Sequence, residues 1–531
     1  MDNQPPLLAG YNAFTSDRWL GGIVSRLGLA SVTREATSLG EFVGSEDGQQ
    51  LAALANRFTP ELKTHDRFGH RIDEVEFHPA YHELMSRAFG AGLHSLAWTA
   101  KQDGFSSRAV LFYLWNQLEN GTACPVTMTF ASIPVLRHAP AIAREWEAKV
   151  LADAYDPRPL PLAQKRGVTI GMAMTEKQGG SDLRAVQSAA TPAGGDEYLL
   201  DGHKWFCSAP MSDAFFTLAR SPEGVTCFFL PRSLADGTRN PFLIQRLKDK
   251  CGNKSNASSE VEFAGTRVRL VGEPGRGIAT LIEMAHHTRF DIVVGCAGMM
   301  RAVLNQALHH AKYREAFGKL LGEHPLMQNV LADLALETEA ATLLAFRLSQ
   351  AFDASAGDDR ERAVQRILTP IAKFWLCKRL PAVATEAMEC LGGNGYVEEA
   401  PLARFYREAP LNGIWEGSGN VVCLDVLRSM EKNPESVEAL LAEVGAAAAG
   451  EPLLARQLHD IRSLLSRPAE AQSQARRIVE AIALAAQAAL MSRHSTSEAA
   501  GAFIASRLGD RARGFGTLAA GVNCAAVVER A

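Results

Sequence analysis

The strongest constraint on this chain is a double change of hydrophobic period along its length. Over residues 83–98, 106–119 and 134–150 apolar residues recur at three-to-four spacing, which predicts helices. Near Val168 the pattern changes to period two. In VTIGMAMTE, Val168, Ile170, Met172 and Met174 alternate with small residues, as on a half-buried strand. EYLLDG, KWFCS, DAFFTLARS, VTCFFLP and SSEVEFAG follow as further short strand-like runs, each bounded by Gly, Pro, Asp, Asn or Ser. After the turn GEPGRG (272–277) the helical period returns and continues to about Lys432. Its breaks fall at HPLM, at 357–359 and at the Gly-rich LGGNGY and WEGSGN. Asn433 and Pro434 close that run, and an Ala-rich, helical-looking tail follows.

Strands at this spacing, with no helices between them, predict a small antiparallel barrel or sandwich. The expected fold class is mainly α with a β domain, in four segments. These are an N-terminal helical domain (1–167), a middle antiparallel β-barrel (168–275), a helical bundle (276–432) and an extra C-terminal helical domain (433–531). A chain of 531 residues is too long for one core in any case. Hydrophobic residues at 47% and charged residues at 21% exclude a disordered or fibrous chain.

A net charge of -4 gives no chain-wide basic field, so any nucleic-acid partner must use a local patch. The nine cysteines are scattered and never spaced C-x-x-C, which argues against a disulfide framework or a zinc site and for a reducing cytoplasm. The start MDNQPPLLAGYNAF lacks the pattern of a signal peptide, and no run of about 20 apolar residues occurs, so no membrane partner is expected.

Five segments carry candidate chemistry. Residues 174–182, MTEKQGGSD, end a strand with two glycines and the hydroxyls of Thr175 and Ser181, a cradle for a planar polar cofactor or an ordinary Gly-Gly turn. Trp205 and Phe206 are adjacent aromatics on a strand, so one can cover a flat ring while the other enters the core; core packing alone explains the pair equally well. Arg314, followed by Phe317, Gly318 and later Gln328, offers a planar fork suited to a pyrophosphate, or is a solvated helix arginine. The glycines 392, 393 and 395 suit close backbone approach, or simply stop a helix. Glu416 sits in WEGSGN beside an aromatic, where apolar surroundings would suit a general base, although an acid in a loop is commonly a surface acid.

Taken together in this order, on a strand-rich middle and a helical bundle, the five segments resemble the acyl-CoA dehydrogenase family. The runs MTEKQGGSD, LKDKCGNKSNAS (247–258), AKFWLCKRLPAVATEAMECLGGNGY and IWEGSGNVVCLDVLR are similar to its AidB-type branch, as are DEVEFHPAYHELM and CPVTMTFA. The resemblance is strong over roughly residues 70–432 and implies FAD as cofactor, with no metal. It implies flavin contacts from Met172, Met174, Thr175, Gly180, Ser181, Trp205, Phe206 and Ser208, and a further cofactor stretch through Ile414, Trp415, Gly417, Ser418 and Asn420. Arg314, Phe317, Gln328, Gly392, Gly393 and Gly395 resemble contacts made across a subunit interface, which implies a homo-oligomer, expected to be a tetramer.

Glu416 stands in the place of the catalytic base. The alternative base position of some family members, just before an arginine that aligns with Arg289, is Thr288 here. The implied reaction is a weak α,β-dehydrogenation of an acyl-CoA, and the AidB-type branch adds a link to protection of DNA from alkylation, with double-stranded DNA as a partner. From residue 434 onward the chain has ten arginines, no lysine and ten acidic residues, so the tail is not net basic. Arg428, Arg476, Arg477, Arg507, Arg511 and Arg513 are the candidates for a one-sided DNA patch; a solvated amphipathic helix pair explains the same charges. The competing function is a metabolic dehydrogenase of a short or branched acyl-CoA without DNA binding. A flavin oxidase on the same fold would call for Asp as base, which Glu416 disfavours.

Overall fold

A computed structural model describes residues 3–509, 514–519 and 521–531. The chain divides into two compact units, one formed by Asp47–Ala100 and Glu119–Thr288, the other by the described residues of 1–46, 101–118 and 289–531.

The first unit holds the large sheet. A hairpin of β1 (Glu61–His65) and β2 (Arg71–Glu76) precedes β3 (Ile170–Ala173), β4 (Ala189–Gly194), β5 (Glu197–Ser208), β6 (Ala214–Ser221), β7 (Gly224–Pro231), β8 (Leu243–Leu247) and β9 (Ser258–Val271). EYLLDG and KWFCS fuse into the single strand β5, and the hairpin interrupts the helical first third. Strands β6, β4, β5, β9 and β7 pair in turn, and β7 pairs back to β6, so the sheet closes on itself.

It is a mixed sheet, because β3 runs parallel to β6 and β4 meets β6 in parallel as well. Most pairings are antiparallel, as expected, and the parallel ones of β6 are the exception: a period-two pattern specifies which face is buried and says nothing of the partner's direction. Strand β6 is buried at seven of its eight positions. Phe215 stacks on Phe242 at 5.1 Å and joins the core with Leu200, Phe228, Ile244 and Val261. Phe216 meets Phe229, which in turn packs edge-on against Trp146 of the helix Pro140–Val150 at 4.8 Å. A helix covering one sheet face explains why these strands read as near-continuous apolar runs.

The second unit is helical. The helix Gly104–Trp115 is buried at every position except Phe105, the pattern of a helix surrounded by others. Its Arg108 donates to both carboxylate oxygens of Asp291, at 2.5 and 2.7 Å, with both side chains fully buried. At its N-terminus the N–H groups of Phe105 and Ser106 donate to Asp353 on the helix Pro325–Ala354. The tail helix Ala471–His494 packs on the helix Asp359–Cys390, where Trp375 Nε1 donates to Gln487 Oε1 at 2.8 Å. The tail thus shares a compact unit with the bundle, as do residues 101–118, so neither the tail nor the first third stands alone. A helix apolar on all sides, or an Ala-rich one, has to borrow its core from neighbours.

Candidate active site

In the strand-bearing unit, the loop after β3 is anchored by a buried ion pair that the motifs alone do not reveal. Glu176 and Lys204 are both fully buried, with Lys204 Nζ 2.8 Å from Glu176 Oε1. Lys204 also donates to Leu218 O, while Glu176 accepts from Gln187 N, Ser188 N and Ser188 Oγ. Burial alone would raise the Glu176 pKa, but the Lys204 charge and these donors outweigh it and bring the carboxyl down to about 2. Burial pulls the Lys204 ammonium below its ordinary value despite its partner. Glu176 therefore secures the loop and is spoken for, while Thr175 and Gly180 are half-buried and Ser181 is exposed. A Cβ on Gly180 would lie 2.4 Å from Thr175 Oγ1, so only glycine leaves room for that hydroxyl.

On β5 neither aromatic enters the core, which corrects the expectation for that pair. Lys204 and Cys207 are the buried positions, Trp205 is half-buried, and Phe206 is 51% exposed. A register shift between Lys204 and Cys207 breaks the strict alternation from which the opposite-face reading came. Lys248 Nζ lies 3.4 Å from the Trp205 ring centroid and 4.7 Å from that of Phe206. Trp205 N donates to Thr175 O at 2.8 Å, tying this strand to the glycine loop, and Met172 is buried just before it. The Ser208 hydroxyl lies 3.3 Å from that of Ser258.

In the helical unit, Glu416 is half-buried and holds φ +55°, a left-handed conformation uncommon for a residue with a Cβ. Gly417 follows at φ +100°. Arg289 Nε donates to Glu416 O at 2.9 Å, and Arg289 pairs with Asp425 at 2.5 Å. Trp415 Nε1 is buried and has no acceptor among the described residues. Thr288, the last residue of the strand-bearing unit, spends its hydroxyl on Ala285 O, one helical turn back. Ile414 and Ser418 are exposed, and Asn420 Oδ1 accepts from Arg476.

Elsewhere in that unit, Arg314 begins a two-stranded turn whose tip, Phe317, has φ +51° and is 96% exposed. Gly392 adopts φ +59°, and a Cβ on Gly395 would lie 2.4 Å from Met388 O. Gln328 Nε2 donates to Gly322 O. The chain's own start bridges these segments: Arg314 and Glu315 bond Asn3, and Asn394 donates to Gln4 at 2.8 Å. Phe317, Tyr396 (77%) and Leu326 (75%) are large apolar side chains left open to solvent.

Of the tail arginines, Arg507 is lost to the core. Its guanidinium is buried against Asp333 at 2.6 Å and Glu337 at 3.0 Å, so it cannot face a phosphate. Arg428, Arg476 and Arg477 are exposed, and Arg511 and Arg513 lie outside the described residues.

Comparison with known proteins defines the class first. Residues 171–266 match the acyl-CoA dehydrogenase middle domain and residues 275–431 the acyl-CoA dehydrogenase C-terminal domain. Residues 3–157 match the AidB adaptive response protein N-terminal domain. This chain belongs to the acyl-CoA dehydrogenase family, whose members are FAD-dependent oxidoreductases. Within it the similarity is to the AidB type: the Escherichia coli (strain K12) protein AidB is 45% identical over 472 residues, covering 88% of this chain and 87% of its own. Among solved structures, Bd2924 in its apo form is 28% identical with a TM-score of 0.85, covering 93% of this chain and 99% of that one. Caenorhabditis elegans ACDH-11, in complex with C11-CoA, is 25% identical with a TM-score of 0.86, covering 95% and 92%.

The residues present fit FAD. Within the strand-bearing unit the glycine loop leaves room for the Thr175 hydroxyl and Phe206 is half exposed; within the helical unit, taken by itself, the buried Trp415 Nε1 is a donor without an acceptor among the described residues. No group of His, Cys, Asp and Glu suited to a metal ion occurs among the described residues, and no helix among them is long and apolar enough to cross a membrane.

Proposed function

We propose that the protein oxidises an acyl-CoA thioester between its α and β carbons, with Glu416 as the base. The observation that carries this reading is the half-buried Glu416 in its left-handed turn, its carbonyl gripped by Arg289. Glu416 takes the proton from the α carbon, the new C=C bond forms between the α and β carbons, and the carboxyl later releases the proton to solvent. When bound, FAD supplies the hydride acceptor for the β carbon. The thioester carbonyl needs donors as enolate-like charge develops, and the backbone N–H groups of the Glu416 turn are the protein's candidates. Thr175, Ser181, Phe206 and Ser208 hold the flavin ring. Arg314, Gln328 and the glycines 392, 393 and 395 reach the cofactor of a second subunit in a homotetramer. The exposed Phe317, Tyr396 and Leu326 support that assembly.

An acyl-CoA is supported as substrate class by ACDH-11, which was captured with C11-CoA. None of the nine cysteines forms a disulfide among the described residues, in keeping with a cytoplasmic protein. Glu416→Gln is expected to keep the yellow flavin spectrum and lose anaerobic reduction by C11-CoA; undiminished reduction would move the base elsewhere.

A second activity, DNA binding in an alkylation response, rests on a smaller patch than the sequence suggested. The exposed Arg428, Arg476 and Arg477 lie on the contacting helices Gly419–Lys432 and Ala471–His494. Duplex affinity is expected to fall with salt and with Arg476→Ala and Arg477→Ala together; indifference to both leaves the metabolic dehydrogenase reading.

A further inference from the structure

The Glu416 turn is held from beneath by a second buried cation. Lys373, on the helix Asp359–Cys390, is 1% exposed, and its Nζ donates to Trp415 O at 2.9 Å and to Gly417 O at 2.5 Å. Arg289 Nε takes the carbonyl between them, Glu416 O. Three successive carbonyls, of residues 415, 416 and 417, thus converge on two buried cations carried by two different helices.

In an extended strand the carbonyls of residues two apart share a side but lie roughly 6–7 Å from one another, too far for one ammonium to serve both. The left-handed Glu416 and the following glycine at φ +100° bring the flanking pair onto one ammonium. A lysine is well matched to this geometry, because its compact head carries three donors and one nitrogen can serve two carbonyls set two residues apart. Arg289 in turn is fixed by Asp425, so the clamp has its own support.

We propose that Lys373 is the positioning residue for the base, and that its double hydrogen bond holds Glu416 in the left-handed conformation from which the carboxylate takes the substrate proton. This rests on the assignment of Glu416 as base made above. The hydrogen bonds of Lys373 Nζ run to the backbone of the turn. Lys373 acts on the turn alone, so its loss falls on kcat and leaves substrate binding nearly untouched. The alternative is that Lys373 merely satisfies two buried carbonyls and stabilises the bundle, in which case turnover would follow stability and nothing else.

The test compares Lys373→Met, which removes every donor, with Lys373→Gln, which keeps an amide with two N–H groups. Hydrogen exchange of the amides of residues 415–419, read in both apo and FAD-loaded protein, reports the turn directly. In Lys373→Met these amides are expected to exchange at least about tenfold faster while the rest of the bundle is unchanged. Its kcat with C11-CoA is expected to fall by about 10²-fold with KM and FAD content preserved, as for a displaced catalytic group. Lys373→Gln is expected to regain much of both, and it serves if the methionine variant fails to fold. Unchanged exchange, an unchanged kcat, or a rise in KM alone would each overturn the role of Lys373. Glu416→Gln, measured in parallel, separates the two claims: full reduction in that variant removes the base assignment itself, whereas an inactive Glu416→Gln beside a fully active Lys373→Met removes only the positioning role.

Discussion

Lys204→Met is the sharpest test of how the cofactor loop is built. In the folded protein Lys204 Nζ bonds Glu176 Oε1 at 2.8 Å and Leu218 O at 2.7 Å, and both charged side chains are fully buried. Removing the lysine leaves a carboxylate in the interior with only its Gln178, Gln187 and Ser188 donors. Glu176 titrates near 2 against an ordinary 4.5, which at about 1.4 kcal/mol per pKa unit is about 3 kcal/mol of stabilisation of the charged form. That figure is the net of Lys204, the Gln187 and Ser188 donors and burial; breaking a buried pair from one side costs about 3–5 kcal/mol by analogy with other proteins, and this sets the expected loss. The variant is expected to lose about that much in urea unfolding followed by tryptophan fluorescence, and to release FAD at lower urea than the wild type. Adding Glu176→Gln should return most of the loss, because it removes the stranded charge. A single variant within about 1 kcal/mol of wild type, or a double variant no better than the single, would refute this account of the loop.

The same pair sets an acid limit. The Glu176 pKa is depressed in the folded state, so its contribution is complete above about 4.5 and disappears as pH falls towards about 2; flavin release on acidification should steepen in that window and shift in Glu176→Gln. Gly180→Ala should weaken FAD retention by displacing the Thr175 hydroxyl, measured by apoprotein reconstitution, with thermal unfolding of the apoprotein shifted far less. Phe317→Asp, at a side chain 96% exposed, should leave the fold intact and shift sedimentation towards smaller species with loss of FAD; an unaltered oligomer would remove this face from the assembly.

What could be read from the amino acids alone was local. The change of period near Val168 and its reversal after residue 277 located the strand-rich segment, because alternation and helical spacing follow from backbone geometry within a few residues. The glycine-flanked motifs, in their order, identified the family and the candidate base. Tertiary structure decided whatever depends on partners far along the chain. That β3 pairs in parallel with β6, that Phe206 stays at the surface, and that Arg507 is buried against Asp333 and Glu337 depend on contacts that short-range patterns do not encode. Lys373 illustrates the difference most clearly. In sequence it is one lysine of an ordinary helix, and only folding carries it to a turn 42 residues away, where burial turns two hydrogen bonds into a clamp on Glu416.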